Sequence, residues 1–329
     1  MRKLGWMAGV VCTLACLLSA APTNAETAER FNGMCFSTVE EFVSGQDIPE
    51  SVTADAAGNL YISQGSSILQ RTPDGTLSVF STLPLPIFAL GLKVGPDGCV
   101  YAASTSLSEV PGAFVWRACA PGTAEVFADL DHSGAPNDLA FDDDGELFVT
   151  DPVLGRVWQV DSEGTPSVFI DDPLLEGTPD APALLFRPLG ANGIAFDKHQ
   201  RFLYVSNTDQ GSIVRIRVND DEPAAEVFAE NPELRGADGV AFDRAGTLYV
   251  AVNGLDALVS VDRHGEVELL AQGGALDSPS SLVFGATHAT RHKLYVVSSA
   301  FMRTLGLKPG TPQPALLSTG VAIRGLGLP

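Results

Sequence analysis

Four side chains in this 329-residue chain, Glu50, Asn137, Asn192 and Asp238, recur at one place in a repeated pattern. Each lies five residues before an Asp that ends a short apolar run: Asp55, Asp142, Asp197 and Asp243. Two further copies end in Gly95 and Gly285, and their corresponding positions are Leu90 and Ser280. Two carboxylates and two amide carbonyls form a hard-oxygen set. Such a set suits Ca²⁺, which takes oxygen ligands in flexible geometry, and the two formal charges would balance the ion. Mg²⁺ or Mn²⁺ would accept the same donors. No His or Cys falls in this register, which argues against zinc. Asn-Gly and Asp-Gly also occur at ordinary turns. Four copies in one register nevertheless favour a metal site, because burying Glu50 and Asp238 together without a cation is costly.

The elements that must position these groups are read from the repeat. The copies are "PESVTADAAGNLYI" at 49–62, "ALGLKVGPDGCVYA" at 89–102, "NDLAFDDDGELFV" at 137–149, "ANGIAFDKHQRFLYV" at 191–205, "ADGVAFDRAGTLYV" at 237–250 and "PSSLVFGATHATRHKLYVV" at 279–297. Each is a strand, a turn, and a second strand with Tyr or Phe near its start. A third strand (SILQRT, RVWQVD, SIVRIRV, ALVSVD) and a fourth (LSVFST, PSVFID, AEVFAE, VELLAQ) follow. Four strands recurring every ~46 residues are the signature of a β-propeller blade. The predicted fold is all-β: a six-bladed β-propeller with four antiparallel strands per blade. The first strand of a blade is innermost, so its start rings the central channel. In the sixth unit, strands are expected at 281–284 and 293–298 and around 301–307 and 315–318. "TVEEFVSG" at 38–45 resembles the fourth strands and is expected to complete the last blade. The Asp143-Asp144-Gly145 stretch reads as a hairpin turn, since it lacks the ligand spacing of an EF-hand loop. The long connection 172–190 leads to Asn192. It reads equally as a wall of the channel mouth and as a surface loop.

Residues 1–25 read as a signal peptide. Arg2 and Lys3 precede an apolar run from Trp6 to Ala21, and Thr23-Asn24-Ala25 offers small residues for cleavage. Residues 26–329 then form the propeller domain, secreted or periplasmic, with no membrane span after signal removal; an uncleaved anchor is the other reading of the same run. The formal net charge is −20, and removal of Arg2 and Lys3 makes it more negative. That argues against nucleic acid and anionic membranes as partners. Cys99 and Cys119 lie at ends of neighbouring strands that meet in a hairpin, which makes a disulfide plausible in an exported chain. Cys35 is left over.

With "PES", "PND", "NGIAFD" and "DGVAFD" in this order on six blades, residues 45–300 resemble the SMP-30/gluconolactonase family and its paraoxonase relatives, calcium-dependent lactonases. The resemblance implies Glu50, Asn192 and Asp238 as direct metal ligands, Asn137 at the metal's edge, and Asp238 at the general-base position. Asp238 and Asn137 are thus the catalytic candidates, and a small lactone or ester is the implied substrate. Family members often carry Arg two residues before the Asn of "ND"; Ala135 stands there, which puts sugar-acid lactones in doubt. His132, five residues before Asn137, either reaches the same mouth or is a surface loop residue. Asp138 either orients Asn137 or caps the turn. G-x-S-x-G and H-E-x-x-H are both missing, which argues against a serine hydrolase or zincin. The alternative reading is a non-catalytic propeller that binds a partner, with a structural channel metal.

Overall fold

The computed structural model describes residues 30–31, 34–43, 48–180, 183, 187–218 and 222–327. Its strands form six sheets in a ring, each with four antiparallel strands in blade order. The innermost strands are Pro49–Ala54, Ile87–Val94, Leu139–Phe141, Ala191–Phe196, Ala237–Phe242 and Pro279–Phe284. They lie side by side around the channel. The last blade is built from both ends of the described chain: Phe36–Glu41 pairs with Ala315–Gly320, which pairs with Lys293–Ser298. Phe36–Glu41 is thus the outermost strand, and it fastens the ring as the sequence suggested. The blade containing Asp238 gains a fifth strand from Arg30–Phe31. One strand expectation fails. Phe301–Thr304 is a single helical turn rather than part of a strand. The third strand of that blade is Ala315–Gly320, reached after Arg303 pairs with Asp256 and Asp277. The expected signal peptide lies outside the described residues.

A repeated aromatic contact joins the blades. Tyr101, Phe148 and Tyr204, each second or third in its blade's second strand, pack edge-on between two rings. One is a Phe of the same blade's outer strand: Phe127, Phe169 and Phe228 respectively. The other is the Phe ending the next blade's inner strand: Phe141, Phe196 and Phe242. Tyr249 makes the same contact to Phe284 at 5.5 Å. These rings bury large apolar areas in the geometry aromatic pairs prefer. The aromatic near the start of each second strand is therefore an inter-blade staple.

Turn aspartates anchor the far ends of the inner strands. Asp142 Oδ1 accepts from the Asp144 and Glu146 amides at 3.0 and 2.8 Å. Asp243 makes the same bonds in its own turn, and Asp197 Oδ1 accepts from the Arg201 and Phe202 amides. The acidic 142–146 stretch is scaffold. Cys99 and Cys119 form a disulfide with a Cα–Cα separation of 4.2 Å. Cys35, left over by the sequence reading, is also disulfide-bonded. Among the described residues no helix is long and apolar enough to cross a membrane.

Candidate metal centre

The register positions share one structural device. The pairing of inner and second strands skips two residues at Pro49/Val52, Ala89/Leu92, Ala191/Ile194 and Ala237/Val240, and one at Pro279/Ser281. Glu50, Leu90, Asn192, Asp238 and Ser280 fall inside these bulges. A bulge leaves its extra residue unpaired and re-aims the side chain, here toward the channel. In the remaining blade the ladder begins only at Leu139. Asn137 is held instead by its amide donating to Thr150 O at 2.8 Å. The loop before it is pinned by Asp151, whose Oδ1 accepts from Ala135, Val153 and Leu154. This is why Pro136-Asn137-Asp138 precedes a good strand without belonging to it.

Four of the five bulges, and the Asn137 segment, are locked by the preceding blade. Ser63 Oγ donates to Leu90 O at 2.7 Å, Gly91 N to Asn137 O at 2.7 Å, Ser206 Oγ to Asp238 O at 2.7 Å and Ser280 Oγ to Glu50 O at 2.6 Å. The Thr150 hydroxyl donates to Asn192 O. The glycine following three register positions is required by this close approach. A Cβ on Gly91 would sit 2.2 Å from Asn137 O, one on Gly193 2.3 Å from Asp238 O, and one on Gly239 2.7 Å from Ser280 O. Asn-Gly and Asp-Gly are therefore packing signals between blades, not turn residues.

Glu50, Asn137, Asp138, Asp238 and Ser280 line one narrow cavity of about 10 Å³, the room of a single water or ion. Asn192 is 4% exposed and Asp238 5%. The Asn192 amide nitrogen donates to Thr208 Oγ1 at 2.9 Å, while its Oδ1 is buried with no donor. Thr208 in turn donates to Ala237 O at 2.8 Å. Asn253, after the second strand of the Asp238 blade, donates to Asp238 Oδ2 at 3.4 Å, and its own Oδ1 is also buried without a donor. Burial, followed by the charge of Asp138, pushes the Glu50 carboxyl up to about 7. Burial, then Glu50 and Asp138, raise Asp238 well above the usual carboxylate range. Two carboxylates that repel each other and acceptors that lack donors both call for a cation. The donor set fits a hard divalent ion. Among the described residues the one closely spaced acidic and thiol trio is Asp97, Cys99 and Cys119, and its sulfurs are spent in the disulfide.

The other sequence candidates divide. Asp138 faces the channel, but its oxygens accept from Leu139 N at 2.9 Å and Ile194 N at 3.1 Å, tying its blade to the next. His132 is exposed, bonded to Ala113 N and Asp129 and edge-on to Phe114. It does not line the cavity. The 172–190 connection is moored at this end of the ring: Asp209 accepts from Thr178, Ala183 and Leu189 amides, and Asn207 donates to Leu174 O and Glu176 O. Sequence reasoning missed Thr208, Asn253 and Lys93. Lys93 lies three residues after Leu90, where the other blades carry Thr53, Ala140, Ala195, Ala241 and Val283. Its ammonium is the one cation among the charges acting on Asp138, and burial pulls its own pKa down. Long polar residues at second-strand ends were the available signal for Thr208 and Asn253.

Fold and site together define a six-bladed propeller with an oxygen-lined, metal-competent channel. The SMP-30/gluconolactonase/LRE-like family model matches residues 48–300, and the chain belongs to that family. A gluconolactonase from Xanthomonas campestris superposes with a TM-score of 0.62 at 21% identity, over 91% of this chain and 93% of that one. A calcium-binding regucalcin from Agrobacterium tumefaciens gives 0.63 at 18% identity, over 88% and 95%. A virginiamycin B lyase from Staphylococcus aureus gives 0.57 at 14% identity, over 87% and 99%. At such identities these likenesses show the fold alone. A search of curated proteins finds no match.

Proposed function

We propose that this chain is an exported, Ca²⁺-dependent hydrolase of lactones or related esters. The observation that carries the reading is the cavity lined by Glu50, Asn137 and Asp238, with the buried, donorless Asn192 Oδ1 at the matching bulge of the inner strand between those of Asn137 and Asp238. Family membership supplies the reaction class, and the likeness to a calcium-binding regucalcin supports the choice of ion. Glu50, Asn192 and Asp238 would hold the ion, with Asn137 at its edge. The bound ion supplies Lewis-acid polarisation of the ester carbonyl.

The chain's own residues do the rest. Thr208 turns the Asn192 carbonyl toward the channel by engaging its nitrogen. Asn253 donates to one oxygen of Asp238 and so fixes the carboxylate's orientation. Asp238 is the candidate base, and its raised proton affinity in the metal-free fold offsets the depression a bound dication imposes. The Asn137 amide offers a donor to the developing oxyanion. The test is a panel of lactones and aryl esters assayed with and without chelator. Turnover that chelation abolishes and Ca²⁺ restores supports the reading. Ca²⁺ stabilisation without turnover of any panel member favours a binding propeller with a structural metal.

A further inference from the structure

The channel's opposite mouth carries a second charged feature that the hydrolase reading does not use. Inner strands run from the metal end toward turns at which Arg244 and Arg291 sit, in neighbouring blades. The C-terminal tail crosses here. Gly325 N donates to Arg291 O at 3.3 Å, Arg244 N to Arg324 O at 3.0 Å and Leu326 N to Phe242 O at 3.1 Å. Gly325 bridges Asp243 and has no room for a Cβ, which would sit 2.2 Å from Phe284 Cβ. Three segments distant in sequence are thus stitched so that Arg244, Arg291 and Arg324 are neighbours.

No carboxylate among the described residues pairs with any of the three. The arginine–carboxylate pairs among the described residues belong to other arginines. Arg291 has one side-chain bond, to His288 at 3.2 Å, and its Nε is buried without an acceptor. Asp243, the nearest acid by chain, spends Oδ1 on turn amides. The crowding is felt: Arg244 first, then burial and Arg291, pull the Arg324 guanidinium below its ordinary range. In a chain with 20 Lys and Arg against 40 Asp and Glu, three unpaired arginines held together by backbone bonds are not a chance surface. Arg244 also opens onto a cavity of about 360 Å³ in the lower channel. Lys93, Lys198 and Leu326 line that cavity, as do Asp138, Asp143 and Asp197.

We propose that Arg244, Arg291 and Arg324 form a binding site for a divalent oxyanion, a sulfate or phosphate group, at the channel mouth opposite the metal centre. Guanidinium forks match the planar edges of such anions and bind them through paired N–H donors. A dianion would supply the acceptor Arg291 Nε lacks and relieve the mutual repulsion of the three cations. The group's source is either the free inorganic ion or an ester whose organic part enters the adjoining cavity.

The test uses the full Ca²⁺-loaded protein and sodium sulfate, because phosphate would precipitate calcium. Calorimetric titration and melting curves are recorded at ionic strength held constant with chloride. Saturable sulfate binding and a rise in Tm beyond the chloride control are expected. Arg324→Gln and Arg244→Gln should each lower sulfate affinity at least tenfold. In chloride alone Arg324→Gln should melt no lower than the parent, since it removes a like-charge neighbour. Phenyl phosphate, a dianion above about pH 7, binding tenfold tighter than sulfate assigns the organic part to the cavity; equal or weaker affinity assigns the free ion. The proposal is overturned if sulfate gives no saturable signal beyond chloride, or if both glutamine variants bind it as the parent does. Lactone turnover is not part of the readout, so failure here leaves the hydrolase reading untouched.

Discussion

Protons and the metal ion must compete for the channel carboxylates, and the competition has a calculable size. Glu50 in the metal-free protein titrates at about 7 instead of 4.5, first because it is buried and second because Asp138 is near. A cation binds the ionised form. Below about pH 7 each unit of pH therefore weakens Ca²⁺ binding about tenfold through Glu50 alone, about 1.4 kcal/mol. Between pH 7 and pH 5 the ionised fraction of Glu50 falls from about one half to about one hundredth, a loss of about 50-fold, and the raised Asp238 makes it steeper. Above about pH 8 the Glu50 contribution flattens. Stability of the metal-free protein runs the other way. Glu50 is neutral in the fold below about 7 but ionises near 4.5 in the unfolded chain. Its stabilising contribution is complete below 4.5 and is lost as pH rises through about 7. The assay is Ca²⁺ titration calorimetry at pH 5, 6, 7 and 8, paired with melting curves of chelated protein. Glu50→Gln should bind more weakly and with a shallower pH slope. A Ca²⁺ affinity independent of pH from 5 to 8 would refute the coupling of a buried, cation-hungry Glu50 to the metal.

Other outcomes follow from the site's supports. Thr208→Val removes the partner that turns the Asn192 amide; Ca²⁺ affinity should fall by about 10-fold or more while the fold loses only about 1 kcal/mol, read by calorimetry and denaturant unfolding. Gly193→Ala places a Cβ 2.3 Å from Asp238 O and should cost about 1–3 kcal/mol by denaturant unfolding and weaken Ca²⁺ binding in the same protein, because the blade carrying Asp238 must shift. Phe242→Ala opens the staple with Tyr204 and should destabilise by about 3–5 kcal/mol without altering the Ca²⁺ stoichiometry of the folded protein.

The repeat was legible because strand period and turn spacing are local, and the closing strand was legible from its likeness to four others. Phe36–Glu41 starts two residues earlier than the "TVEEFVSG" stretch and does close the last blade. The hairpin logic also placed Cys99 beside Cys119. Residues 301–307 misled because their apolar spacing fits a strand, whereas Arg303 is drawn to Asp256 and Asp277, contacts 47 and 26 residues away that no local pattern reveals. The ligand register was visible as a spacing, but its cause was not. A bulge depends on the partner strand, and the glycines at 193 and 239 look like turn residues until the neighbouring blade's carbonyl is placed against them. Thr208, Asn253 and Lys93 carried no repeat signature, since the groups they serve lie on other strands.

The most direct test of the account is a crystal grown with Ca²⁺ and measured for anomalous scattering. One ion is expected in the channel, with oxygens of Glu50, Asn192 and Asp238 at about 2.3–2.6 Å. A channel without an ion at saturating Ca²⁺, or an ion held instead by the turn aspartates Asp142 to Asp144, would contradict it.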